Sequence, residues 1–349
     1  MTREPVRPSS LRPRWLVAAL VGLLGAALAG VLVGPVPLKL GNVLTELLDR
    51  FPAVEVGPGL ADRDAAILFE LRLPRVILGG LVGSMLALAG AAYQGVFRNP
   101  LADPYLLGAA AGAGLGATVV IAYAPDATSW PVDPLPVAAF AGAVLGVAAA
   151  YALGRSAVQV RTTATLLLAG VAVASFLTAI QTFIQQRHDD TLRQVYSWIL
   201  GRLGTVGWSE VALILPYVAV SAAAILVHRR LLDVLSVGDE EAESVGVRAS
   251  RVRLIVVVAA TLGTAAAVAV SGLIGFVGIL VPHTVRLIFG SSYRRVLPLS
   301  LVFGAAFLIL ADLLARVTLS PAELPIGVVT AFFGAPFFVV VLRRTRRVA

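Results

Sequence analysis

Ten long apolar runs constrain this chain more than any other feature of its sequence. A transmembrane helix needs about 20 mostly apolar residues, and it satisfies its own backbone polar groups, which lipid cannot do. The chain is 58% hydrophobic and 14% charged, with a mean hydropathy of +0.89, whereas a soluble domain has about 25% charged residues. The sequence therefore predicts an all-α integral membrane protein, with ten transmembrane helices in a single domain that covers residues 1–349.

Polar, Gly and Pro residues separate the predicted spans. The spans cover residues 15–33, 74–94, 106–123, 137–153, 163–184, 211–227, 254–270, 274–289, 297–315 and 326–342. The first run follows a basic tail, a charge pattern that signal peptides share. Because the run is long enough to cross a membrane and no clear small-x-small cleavage site precedes the next polar segment, we interpret it as a retained span.

Lysine and arginine are distributed unevenly among the connections between spans. If both ends of the chain lie on one side, that side carries about twice as many of these residues as the other. Cytoplasmic loops normally hold this excess. We therefore predict a multi-pass protein of the cell membrane with cytoplasmic tails at 1–14 and 343–349. The same rule accounts for the net charge of +8, so no nucleic-acid partner is expected.

An acidic segment interrupts the apolar pattern between the sixth and seventh spans. Residues 231–253 hold five of the 20 acidic residues in the chain. The charge distribution places the whole connection, residues 229–253, on the cytoplasmic side. It is either a solvated loop or a surface offered to a soluble partner, and composition alone leaves both interpretations open.

The residue types that enzymatic and metal sites require are sparse. A nucleotide-binding P-loop needs a lysine after a glycine-rich loop, and the single lysine, Lys39, has no such loop before it. If nucleotide drives this protein, another chain must bind it. There is no cysteine, and His188, His228 and His283 lack acidic or histidine partners at ligand spacing. Since common catalytic motifs are also missing, no catalytic residue, metal site or cofactor is predicted.

Two features inside the spans bear on transport. Asp312 is the only acidic residue within them, and it precedes Arg316 by four residues. An intramembrane acid can mark a proton relay, but we favour an ion pair between neighbouring helical turns. Glycine- and proline-rich motifs at 271–286 and 323–338 predict broken helices, which are tolerated where they line a cavity. These motifs indicate a translocation path.

Seven motifs together resemble the FecCD-type permeases, the membrane subunits of ABC importers for ferric siderophores, haem and cobalamin. The motifs are LRLPR (71–75), Gly90 and Gln94 with RNPLADP (98–104), LLGAAAGAG (106–114), GDEEAESVGV (238–247), GFVGILVPHTVR (275–286), ADLLAR (311–316) and ELPIGVVTAFFGAPFF (323–338). They follow the order that the family keeps, from about residue 70 to the end of the chain.

The resemblance implies a BtuC-like type II ABC importer permease fold and a set of partners. A second permease subunit would complete a homodimer or heterodimer within the lipid. Two cytoplasmic ABC ATPases and an extracytoplasmic substrate-binding protein would complete the importer. The chain would then be a transport subunit and not an enzyme. Its cargo would be a ferric siderophore, with haem or cobalamin as alternatives.

The resemblance also implies roles for individual residues, in three groups. The ATPase-coupling residues would be Gly238, Asp239, Glu240, Ala242, Ser244 and Gly246. The residues that dock the binding protein would be Arg72, Arg75 and Arg316, which the predicted topology places at the outer surface; the alternative is that they snorkel to lipid headgroups. Polar candidates for the translocation path are Thr162, Thr163, Thr165 and Ser175.

An ion-coupled secondary transporter is the alternative from another functional class. Broken helices near the membrane midplane favour it, whereas the near absence of charged residues within the spans opposes it. A membrane enzyme is the third possibility, and the sequence offers it no catalytic constellation.

Overall fold

The computed structural model describes residues 11–50, 59–124, 133–156, 163–204 and 207–345, and these residues form helices and no β-strand. The helices are α1 (Pro13–Leu32), α2 (Leu40–Asp49), α3 (Asp62–Phe97), α4 (Ala109–Tyr123), α5 (Pro134–Ser156), α6 (Thr163–Arg187), α7 (Leu192–Ile199), α8 (Ser209–Val227), α9 (Arg229–Leu235), α10 (Asp239–Ser244), α11 (Ala249–Ser271), α12 (Val277–Phe289), α13 (Tyr293–Val317) and α14 (Ile326–Thr345). Most of the predicted tails, residues 1–10 and 346–349, lie outside the described residues.

The predicted all-α membrane architecture is confirmed, and every predicted span overlaps one apolar helix. Seven of the described helices are long and apolar enough to cross a membrane, namely α1, α3, α5, α6, α8, α11 and α13. The apolar parts of α4, α12 and α14 are shorter. Because only seven of the described helices are long and apolar enough to cross a membrane, the number of ten crossings stays a prediction.

Helix α3 is the element around which the other helices pack. It contacts α1, α8, α11, α12 and α13, and nearly every residue from Val82 to Phe97 is buried. A helix that is apolar on all sides is suited to this position. Glycine permits the closest approaches: a Cβ atom on Gly83 or Gly90 would overlap the carbonyl oxygen of Gly304 or Gly278, respectively.

Helices α4 and α5 form a second close pair. Gly112 and Gly142 face each other, and a Cβ atom on either would overlap the carbonyl oxygen of the other. In lipid, helix association depends on such packing because the hydrophobic effect gives no advantage to protein over acyl chains. The glycine spacing in these spans therefore serves packing.

The predicted break between α11 and α12 is present and is satisfied by side chains. The backbone turns at Gly272 and Phe276, where φ is +67° and +68°. The Tyr105 hydroxyl donates a hydrogen bond to the Ile274 carbonyl oxygen at 3.1 Å, and the Gln94 amide donates one to the Gly278 carbonyl oxygen at 3.0 Å. Irregular backbone at this depth needs such partners because water is absent.

A cluster of charged side chains fixes one end of the bundle. Asp312 accepts a hydrogen bond from Arg75 at 2.9 Å and forms an ion pair with Arg316 at 3.0 Å, and Arg75 also contacts Glu323 at 2.9 Å. The predicted pairing of Asp312 with Arg316 is confirmed, and Arg75 is a further partner. The cluster joins α3, α13 and the segment before α14.

Two arginines of this end also cap the carboxyl end of α1. Arg316 donates to the Gly30 carbonyl oxygen at 2.9 Å, and Arg72 donates to the Val31 carbonyl oxygen at 2.7 Å and to those of Leu32 and Val36. The last carbonyls of a helix have no partner within the helix, and they carry the negative end of its dipole. The guanidinium groups therefore satisfy both the hydrogen bonding and the charge.

Replacing Asp312 with Asn should destabilise the protein strongly. The side chain is 3% exposed, and the change would leave Arg75 and Arg316 facing each other without their shared carboxylate. Breaking a buried ion pair costs about 3–5 kcal/mol, which thermal unfolding in detergent would detect. Glu323→Gln also removes a contact with Arg75, but this carboxylate is 51% exposed, so its effect should be much smaller. Equal shifts in the two variants would contradict this account.

Candidate functional site

The acidic segment, residues 229–253, is folded into two short helices that pack against the ends of the spans. Leu232 and Leu235 of α9 and Ala242 of α10 are fully buried. Carboxylates occupy the first turn of α10, where they favour helix formation by facing the positive end of its dipole. The segment is therefore an ordered structure and not an irregular loop.

A glycine in the left-handed conformation ends α10. Gly246 has φ of +82°, and its amide donates to the Glu243 carbonyl oxygen at 2.9 Å. The following amide of Val247 donates to the Ala242 carbonyl oxygen at 2.9 Å. Such a glycine is the common way to end a helix. Since a Cβ atom here would meet nothing within 4 Å, the requirement for glycine is conformational and not steric.

Ion pairs and caps connect this segment to three spans. Asp239 accepts from Arg253 of α11 at 2.7 Å and lies 3.2 Å from Arg98, at the end of α3. The hydrogen bond from Arg253 lowers the pKa of Asp239. Asp233 accepts from Ser292 at 2.8 Å and from the Tyr293 amide at 2.6 Å, which caps the start of α13. A displacement of α10 would therefore act on α3 and α11, whereas α9 holds the start of α13.

The exposed face of the segment combines carboxylates with two large apolar side chains. Val237 is 71% exposed and Val245 is 67% exposed, at the two ends of α10. Glu240, Glu241 and Glu243 are exposed between them. Exposed apolar side chains within a polar region indicate an interaction surface. Sequence reasoning missed both valines, although each is next to a glycine that bounds the motif.

The residues predicted for ATPase coupling do not all lie on this face. Glu240, Ser244 and Gly246 are exposed. Gly238, just before α10, and Ala242, on the inner face of α10, are buried. Asp239 is partly buried in its ion pairs. The first three are available for contact with a partner, and the other three determine the shape and position of α10.

The three arginines predicted at the outer surface occupy different positions. Arg72 and Arg316 are each 5% exposed, so the expected surface position is wrong for both, because the α1 carbonyls and Asp312 hold them inside. The Arg75 side chain is 15% exposed. Glu323, which sequence reasoning missed, is the exposed member of the cluster, and the hydrogen bond from Arg75 lowers its pKa.

A groove of about 810 Å³ follows one face of α6, beside the single helical turn Pro104–Leu107. Its polar lining comes from Ser175, Thr178, Thr182 and Gln186. Helix α6 is exposed beside this groove, with Phe176 66% and Phe183 62% exposed. The groove therefore opens toward the surroundings of this chain.

One of the four residues predicted for the translocation path lies in this groove. Ser175 is exposed and lines it. Thr163 begins α6, Thr165 is partly exposed within its first turn, and Thr162 lies outside the described residues. The groove residues Thr178, Thr182 and Gln186 were missed. Their spacing of four residues, with Ser175 three residues before, places them on one helical face.

Within the described ranges, no group of three or more His, Asp or Glu residues is placed to hold a metal ion.

The chain is similar to known permeases along nearly its whole length. Residues 19–344 match the FecCD transport family. The cobalamin import system permease protein BtuC of Halobacterium salinarum is 39% identical over 94% of this chain and 95% of its own. The iron(3+)-hydroxamate import system permease protein FhuB of Bacillus subtilis is 37% identical over 80% of this chain and 72% of its own. The Fe(3+) dicitrate transport system permease protein FecD of Escherichia coli is 37% identical over 80% and 86%.

The fold is also that of a solved transporter. A metal-chelate type ABC transporter in an inward-facing conformation superimposes with a TM-score of 0.82 and 26% identity, over 95% of this chain and all of the other. These relatives are transport permeases and not enzymes. The resemblance to the FecCD-type permeases is thus confirmed by motif order, helical architecture and family match. The chain belongs to the FecCD transport family and is a membrane permease of an ABC importer.

Proposed function

We propose that this permease moves a ferric siderophore complex across the cell membrane, driven by two cytoplasmic ABC ATPases and supplied by an extracytoplasmic binding protein. One observation carries the proposal: a chain without a P-loop presents an ordered helix, α10, which Asp239 ties to the ends of two spans and whose outer face is exposed. Such a helix can transmit a movement made by another protein. The acidic segment and both termini then lie in the cytoplasm, in agreement with the distribution of lysine and arginine.

The exposed face of α10 fits a docking role. Val237 and Val245 supply apolar contact area, and the carboxylates between them orient a partner by charge more than they add affinity. Because Asp239 is tied to α11 and α3, the partner would move spans and not a mobile loop. The ATPase would grip a helix of fixed shape, bounded by Gly238 and Gly246.

The groove along α6 supports a translocation path that a second permease subunit completes. The groove exposes polar side chains among apolar ones, and a partner subunit would cover both. The exposed side chains of Phe176 and Phe183 on α6 would then be buried as well. The hydroxyl groups of Ser175 and Thr178 offer weak polar contacts, which suit a path that must release its cargo.

Arg75 and Glu323 are the accessible members of the charge cluster around Asp312. They support docking of the binding protein at this end of the bundle. An acidic residue of that protein could replace Glu323 as a partner of Arg75. Arg72 and Arg316 would contribute indirectly, by holding α1 and Asp312 in place beneath the surface. This assignment keeps the predicted electrostatic docking but moves its contact to Arg75 and Glu323.

The relatives support a ferric chelate as cargo and favour cobalamin as the alternative. FhuB and FecD are named for iron(3+)-hydroxamate and Fe(3+) dicitrate. BtuC of Halobacterium salinarum, which matches nearly the whole chain, is named for cobalamin.

Uptake into proteoliposomes that contain the permease, its ATPase and its binding protein should depend on ATP. Mutation of the Walker lysine in the ATPase should abolish uptake of radioactive iron bound to a siderophore, and a protonophore should have no effect. An ion-coupled transporter would show the reverse pattern. Uptake in the absence of the ATPase would refute the proposal, and uptake of labelled cobalamin but not of iron would overturn the proposed cargo alone.

Gly246→Val should uncouple ATP hydrolysis from transport while membrane insertion stays normal. A β-branched residue at positive φ costs on the order of 1–3 kcal/mol, so the turn that ends α10 should distort. Gly246→Asn is the matched control because asparagine tolerates the left-handed conformation. The ratio of cargo transported to ATP hydrolysed should fall severalfold in the valine variant only. A normal ratio in that variant would argue against docking at α10.

Glu323→Gln should strengthen docking of the binding protein and make it more sensitive to salt. The change frees Arg75 for an acidic partner, and exposed ion pairs of this kind change Kd by up to about fivefold. Glu210→Gln removes a carboxylate that bonds to Ser209 at the start of α8 and should leave the Kd unchanged. Weaker docking of Glu323→Gln at several salt concentrations would show that Glu323 itself contacts the binding protein.

A further inference from the structure

A second groove, separate from the one along α6, lies between α5 and α11. It has a volume of about 520 Å³. Its lining is mostly apolar and includes Val144, Ala148, Leu254 and Val258, and its polar residues are Tyr151, Arg155 and Thr261. None of its lining residues belongs to the α6 groove, so the translocation path does not account for it.

The length of this groove fits a lipid chain. The stretch of α5 from Val144 to Arg155 spans about 16 Å at 1.5 Å per residue, close to the roughly 15 Å of one leaflet of the hydrocarbon core.

A cationic side chain marks one end of the groove. Arg155 is exposed in the last turn of α5, with its guanidinium 5.7 Å from the centre of the Tyr151 ring. No ion pair between described residues involves Arg155. Arginine and tyrosine together are typical of the membrane interface, where they meet lipid headgroups.

Arg155 lies near one end of the helical bundle, at the level expected of the lipid headgroups. Leu254, which lines the groove, follows Arg253, the residue that binds Asp239 of α10. The cationic end of the groove is therefore at the end of the bundle that carries the acidic segment. Leu254 and Val258, which line the groove, are 41% and 47% exposed, as expected of side chains that face acyl chains.

We propose that this groove binds an acyl chain of an anionic phospholipid, with the lipid phosphate at Arg155. Burying an acyl chain in protein offers little advantage over the surrounding lipid. Preference for this lipid must therefore come from the shape of the groove and from the charge of Arg155. The proposal does not depend on the identity of the transported cargo.

Native mass spectrometry of the full chain, purified with phosphatidylglycerol or phosphatidylcholine, tests this site. Arg155→Gln should reduce retained phosphatidylglycerol about fivefold, the effect expected of one basic residue near an anionic lipid surface, and leave phosphatidylcholine unchanged. Arg230→Gln, at an exposed arginine of α9, is the matched control and should retain both lipids. Ala148→Trp, which fills the groove, should reduce retention of both.

Four outcomes would overturn the proposal. Equal losses in Arg155→Gln and Arg230→Gln would indicate attraction to a generally basic surface. Unchanged lipid retention in a folded Ala148→Trp variant would show that the lipid binds elsewhere. Dissociation of subunits by Ala148→Trp would identify the groove as an interface between copies of the chain. Displacement of the lipid by inorganic phosphate alone would reduce the site to an anion site.

Discussion

One end of this membrane bundle depends on the ion pairs that the buried carboxylate of Asp312 forms. Helix α1 ends with carbonyl groups that need donors, and Arg72 and Arg316 supply them from α3 and α13. Buried guanidinium groups are costly unless their charge is neutralised. Asp312 neutralises Arg316 directly, and it pairs with Arg75 as well. One carboxylate thus permits Arg75 and Arg316 to join helices that are distant in sequence.

Similar chemistry orders the opposite end, where carboxylates of the acidic segment hold the starts and ends of spans. Asp239 binds Arg253 and Arg98, and Asp233 caps α13. Unlike Asp312, these carboxylates are partly exposed, so a partner can reach the helix that they fix. The face along α6 contains polar and apolar side chains that the described chain leaves uncovered. Fixed ends and an open face are the arrangement expected of a subunit that moves only within a larger assembly.

The sequence predicted the features that depend on local pattern. Apolar runs located the helices, and the spacing of Asp312 and Arg316 predicted their ion pair. The carbonyl groups that accept from Arg72 and Arg316 could not be predicted in this way. The Val31 carbonyl lies 41 residues from Arg72, and the Gly30 carbonyl lies 286 residues from Arg316. A backbone carbonyl has no signature in sequence, so these arginines were expected at the surface.

The contacts that hold this fold together explain why permeases for different cargoes are similar in sequence. Relatives named for iron(3+)-hydroxamate, Fe(3+) dicitrate and cobalamin are 37–39% identical to this chain, so identity does not follow cargo. The fold depends on glycine approaches, helix caps and ion pairs, and none of the ion pairs between described residues involves a side chain that lines the groove along α6. The groove itself presents the small hydroxyl groups of Ser175, Thr178 and Thr182. If the groove is part of the translocation path that we propose, such groups distinguish cargoes poorly, and selectivity then arises earlier, at the proposed binding protein.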